Sequence, residues 1–130
     1  MQYDQFVGQV QHRARLASSG EAVRAIRATL ETLGERLFGG EAENLASQLP
    51  MEIGRFLLER RQSERFDLNE FFRRVAIREG VDYPEAVFHA RAVLDVLDEA
   101  VSPGLIQKVC AQLPDDYDRL FEIGGETTAP

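Results

Sequence analysis

Two histidines, His12 and His89, and one cysteine, Cys110, are the side chains best suited to nucleophilic or metal chemistry. A helical zinc pair needs two ligands three or four residues apart on one face. Neither histidine has another at that distance, so both are expected to be structural. Cys110 falls on an inward apolar stripe and reads as a small buried hydrophobe. A nucleophilic thiol would need an adjacent base and some exposure. The run Asp115-Asp116-Tyr117-Asp118 lacks the alternating oxygen ligands, central glycine and terminal glutamate of a calcium loop. Gly39-Gly40 and Gly124-Gly125 lack the spacing of a phosphate loop, and no serine stands in a nucleophile elbow. The expectation is therefore no enzyme, no metal and no cofactor.

Binding chemistry has two candidates. Arg13, Arg15, Arg24 and Arg27 could converge where the first helix meets the second, forming a face for an anion or an acidic peptide. The competing reading is a solvated face paired with Glu21 and Glu31. The aromatic candidates are Phe72 and Phe88. Phe71 and Phe72 are adjacent and cannot share one narrow helical stripe, so one packs between halves of the chain or is exposed as a contact. A second arginine cluster, Arg60, Arg61, Arg65, Arg73 and Arg74, surrounds residues 59–65. Arg61 and Arg65 are expected there to bridge to Glu64 and acids of the second half.

Length and composition bound these readings. The 130 residues suit one domain, and 44% hydrophobic with 28% charged residues is the balance of a soluble globular protein. A single cysteine makes no internal disulfide, no stretch reaches membrane-spanning length, and the N-terminus lacks the pattern of a secretory signal. A cytoplasmic location is expected. Residues 1–62 carry eight arginines against eight acids, whereas residues 63–130 carry six arginines and Lys108 against fourteen acids. The formal charge of −7 thus lies in the second half. It argues against general DNA binding and fits either solubility or attraction to a basic partner.

The elements that must position these residues come in pairs. At an offset of 64, residues 21–57 match 85–121 at 13 of 37 positions without a gap, including Gln48-Leu49-Pro50 with Gln112-Leu113-Pro114. At an offset of 65, Phe6, Val10 and Arg13 match Phe71, Val75 and Arg78. The chain reads as all-α, with about eight helices in two tandem four-helix copies (1–62 and 63–123) related by approximate internal two-fold symmetry. The copies are expected to form a single domain over 1–123, with a flexible tail at 124–130.

Apolar residues at steps of three and four predict helices near 4–15 and 67–79, 19–38 and 83–102, and 41–49 and 103–113. A fourth helix in each copy is expected to begin at the proline of Gln-Leu-Pro. Ser18-x-x-Glu21, Asp67-x-x-Glu70 and Asp82-x-x-Glu85 are capping boxes, and Phe66 is placed to staple onto Phe71. Gly39-Gly40 is expected to end the second helix. Ser102-Pro103-Gly104 is expected to cap the seventh, with Pro103 in its first turn. Gln48 and Gln112 are expected to tie their corners by side-chain hydrogen bonds.

The stretches YDQF…SGEAVRAIRATLETLGERLFGGEAENLASQLP and FDLNEFFRRVAIREGVDYPEAVFHARAVLDVLDEAV…AQLP resemble the two halves of a prokaryotic family, domain of unknown function 2267. The likeness covers about residues 2–123, and its most specific part is the GERLxGGEAxxLAxQLP pattern. It implies a small, soluble, all-helical, internally duplicated protein and carries over no catalytic residue. Ser102-Pro103-Gly104-Leu105 departs from Phe38-Gly39-Gly40-Glu41, so two equal sites are not implied.

The leading functional expectation is a non-enzymatic protein-interaction module. The alternative is a carrier or sensor of a small apolar ligand, held between the copies in a cavity lined by residues such as Phe72 and Phe88. Nucleic-acid binding through the Arg13/Arg15/Arg24/Arg27 face is a third reading. A homodimer stays open, and no membrane association is expected.

Overall fold

The computed structural model describes residues 1–121. The tail expected at 124–130 and the Gly124-Gly125 pair lie outside the described residues. Among the described residues there are eight α-helices and no strand. They are α1 (Tyr3–Arg13), α2 (Ser19–Arg36), α3 (Glu41–Ala46), α4 (Met51–Leu58), α5 (Leu68–Glu79), α6 (Tyr83–Ala100), α7 (Leu105–Cys110) and α8 (Asp118–Phe121). Helices α2 and α6 have equal lengths and begin 64 residues apart, as do α3 and α7.

Local chemistry sets the helix starts. The Ser18 hydroxyl accepts from the Glu21 amide at 3.1 Å, Asp67 from Glu70 at 2.9 Å and Asp82 from Glu85 at 3.0 Å. Several ends differ from expectation. Helix α2 stops at Arg36, because Leu37 is already extended, and Gly39-Gly40 instead lead into α3 with φ of 66° and 126°. Helix α7 starts only after Gly104, at φ 91°, so Pro103 lies outside it. Pro50 precedes α4 and does not occupy its first position; its carbonyl accepts from Ile53 and Gly54. The fourth helix of the second half opens as a 3-10 turn, Asp115–Tyr117, before α8. Both glutamines reach across the molecule. Ser102 donates twice to Gln48, at 2.6 and 2.9 Å, and Gln112 donates to Glu41 at 2.9 Å.

Helix α2 is the axis of the fold, packing on α1, α4, α5 and α6. All nine residues from Ala28 to Arg36 are buried, including Glu31, Glu35 and Arg36. A buried charge needs a partner; Glu31 and Glu35 have ion-pair partners, whereas Arg36 donates to the Phe66 carbonyl and lies over aromatic rings. Glu31 accepts from Arg27 at 2.9 Å and from Arg60 at 3.2 Å. Arg74 and Arg78 of α5 approach the same Glu35 oxygen at 3.1 and 2.9 Å, outside hydrogen-bond alignment, so that contact is chiefly electrostatic. Arg78 also donates to Thr32, and Arg74 to Glu64 and Glu70. The connecting segment 59–67 is strapped down here. The Glu64 amide donates to the Glu35 carbonyl at 2.8 Å, and the Phe66 carbonyl accepts from Arg36 and Tyr117 at 2.8 and 2.6 Å.

A clamp between the halves was expected, but with different members. Arg61 pairs with Glu43 of the first half, and Arg65 lies over the Phe38 ring. The recorded ring contacts of Phe66 are with Arg36 and Arg74. Phe71 and Phe72 are both buried and meet edge to face at 5.9 Å, because α5 is enclosed by α2 on one side and α6 on another. Edge-to-face geometry is the favoured arrangement for such a pair.

The clamp sets an acid response. Hydrogen bonds from Arg73 and then Arg74 hold the Glu70 carboxyl at about 2, against an ordinary 4.5. A folded-state value below the unfolded one stabilises the fold above pH ~4.5, and that contribution is lost as the pH falls towards 2. Glu64, bonded by Arg74, is shifted the same way. Urea melts across this range should show stability falling from pH 4.5 to 2. Glu70→Gln should flatten that segment; an unchanged slope would remove Glu70 from the account.

Candidate functional site

The structure does not gather the four arginines into one face. Arg13, at the end of α1, turns to α6. It donates to Asp95 at 2.5 Å and to both Glu99 oxygens at 3.0 and 2.7 Å. Arg27 pairs along its own helix with Glu31 and, at 3.6 Å, with Glu59. Arg24 is exposed and acts electrostatically on Glu79. Arg15 is exposed in the left-handed region at φ 56°. Glu21 is occupied by the Ala17 amide.

The aromatic candidates separate as well. Phe72 is sealed in the core between Phe71 and Tyr83, whereas Phe88 stands 46% exposed on α6. The surroundings of Phe88 make the α5–α6 corner the most distinctive part of the surface. Helix α5 ends at Gly80, whose φ of 79° suits a residue without a Cβ, and Asp82 caps α6. This tight corner brings Glu79, the last residue of α5, against His89, two turns into α6. His89 Nδ1 lies 2.5 Å from Glu79 Oε2. Both are buried, and burial pushes the Glu79 carboxyl up, opposed by His89 and Arg24.

The pair fixes the imidazole ring, and the Phe88 ring sits 6.0 Å from it. On the same helix pair Ile77 is 65% exposed and Tyr83 39%. Tyr83 is anchored by its hydroxyl, which donates to Asn69 at 2.9 Å, and by an edge contact with Phe72 at 6.0 Å. Ile77, Tyr83 and Phe88 reach solvent at this corner together with Asp82 and Glu85, while the Glu79–His89 pair is buried.

Sequence reading treated His89 as structural and missed its partner. The available signal was the short turn, which returns an inward α6 position to the end of α5. Ile77 and Tyr83 were also missed. Cys110 is half-buried rather than interior; burial and the Asp118 carboxylate, 3.6 Å away, push its thiol up. Among the described residues no group of three His, Cys, Asp or Glu side chains could hold a metal ion. No helix among them is long and apolar enough to cross a membrane.

A family model described as an uncharacterized conserved protein (DUF2267) matches residues 3–120. The chain belongs to this family. No curated protein matches it. In this DUF2267 member, the α5–α6 corner holds the buried Glu79–His89 pair next to exposed Phe88.

Proposed function

We propose that the protein is a non-enzymatic interaction module that engages a protein partner through the α5–α6 corner. The carrying observation is the exposure of Ile77 on α5 and of Phe88 and anchored Tyr83 on α6, helices whose other faces are locked into the core. Tyrosine is among the residues enriched at interface hot spots, and exposed apolar side chains are suited to contact with a partner. Residues 67–100 carry eight acids against four arginines, which suits a basic partner. The other large exposed apolar residues, Met1, Met51 and Leu58, stand on α4 or near the N-terminus.

The apolar-ligand alternative draws no support from Phe72 in the core and Phe88 on the surface. A nucleic-acid face is weakened by the carboxylates that neutralise Arg13 and Arg27. The equal spacing of helix bounds and of matching residues supports reading the chain as two copies of one unit.

The test is comparative capture from native lysate by the wild-type chain, Ile77→Ser/Phe88→Ser, and a Met51→Ser control. The proposal expects a stoichiometric partner bound by wild type and by Met51→Ser but lost from the double variant. Equal capture by all three would contradict it.

A further inference from the structure

We propose that the groove at the α2–α3 corner is a binding site for a small organic cation, a guanidinium or primary ammonium compound. The groove encloses about 270 Å³, and its walls include Phe38, Gly39, Gly40, Glu41, Glu43 and Arg61. Glu41 is 7% exposed, and Gln112 donates to its Oε2 at 2.9 Å, while its Oε1 is buried with no hydrogen-bond partner. An unmet buried carboxylate oxygen is costly, and a charged donor is its best complement. Glu41 is one of the groove's lining residues, and its unmet oxygen is the acceptor assigned to the cation.

The corner already collects guanidinium groups from the chain itself. Arg61 rests on Glu43, and Arg36 and Arg65 lie over the Phe38 ring at 5.7 and 5.0 Å. Carboxylate and aromatic ring together are the chemistry of organic-cation recognition. None of these arginines hydrogen-bonds Glu41 Oε1. Gly39 and Gly40 line the groove at φ of 66° and 126°, and a Cβ built at either meets nothing within 4 Å.

The site is built once. Sixty-four residues later stand Ser102, Pro103, Leu105 and Gln107, which supply neither ring nor carboxylate. Of the lining residues between 34 and 43, only Gly40 recurs in the second half, as Gly104.

The experiment is a titration of the ¹⁵N-labelled chain with agmatine and with n-butylguanidine, using n-butanol and butyrate as neutral and anionic controls. Both cations should shift the Gly39, Gly40 and Glu43 amides saturably, and the controls should not. Glu41→Gln should weaken binding by about tenfold or more. Arg61→Ala, at an exposed position, should tighten it severalfold by removing the internal competitor. No saturable shift at these amides, an equal response to n-butanol, or unchanged affinity in a folded Glu41→Gln chain overturns the proposal. Should Glu41→Gln fail to fold, unchanged or weaker binding by Arg61→Ala overturns it equally.

Discussion

Gly34→Ala should cost about 3 kcal/mol or prevent folding altogether. A Cβ at Gly34 would lie 2.0 Å from the carbonyl oxygen of Leu57 and 2.8 Å from its carbon. These are backbone atoms of α4, so no side chain can rotate away; α2 and α4 must separate. The gain in helix propensity from glycine to alanine, roughly 1 kcal/mol, does not offset that. Gly8→Ala is the control. It lies on α1, a Cβ there meets nothing within 4 Å, and the change should stabilise by about 0.5–1 kcal/mol. Urea unfolding of both variants checks the pair; similar stabilities would mean that α2 and α4 are not in close contact.

Glu35→Gln should cost about 3 kcal/mol, because it leaves the partly buried Arg74 and Arg78 without their shared carboxylate. Arg74 keeps Glu64 and Glu70, which holds the loss to the lower end of the range for broken buried pairs. The double variant Glu35→Leu/Arg78→Met should recover much of the loss, since an apolar pair often replaces a buried ion pair at little cost. A double-mutant cycle measured by urea midpoint at constant slope decides it. Strict additivity would show that Glu35 and Arg78 do not stabilise the fold through one another.

The two residues also show where sequence reading reaches its limit. Helix positions and caps were legible because they depend on neighbours three or four residues away. Ser18, Asp67 and Asp82 cap as their spacing indicates. Gly34 was not singled out, because a glycine inside a helix reads only as a weak propensity penalty. Its reason lies 23 residues away, in Leu57. The 64-residue match places Asp98 opposite Gly34, and Asp98 is exposed, so the repeat itself hid the close approach.

The arginines were legible as clusters, and Arg27 with Glu31 as a pair, but the long-range pairs were not. Arg13 finds Asp95 and Glu99, 82 and 86 residues away, and no local pattern encodes that choice. The candidate surface was half legible. Phe88 is one of the two aromatic candidates the sequence offers. Ile77 and the buried Glu79–His89 pair emerge only once the Gly80 corner folds α6 back on α5.

The interaction surface can be tested most directly by placing a photo-crosslinking phenylalanine analogue at position 88, in cells that natively make the protein. Gln62, exposed on the connecting segment, serves as the control position. Irradiation should give one discrete adduct from position 88, absent from position 62 and lost when Ile77→Ser is added. No adduct from position 88, or the same adducts from both positions, would contradict a docking role for the α5–α6 corner.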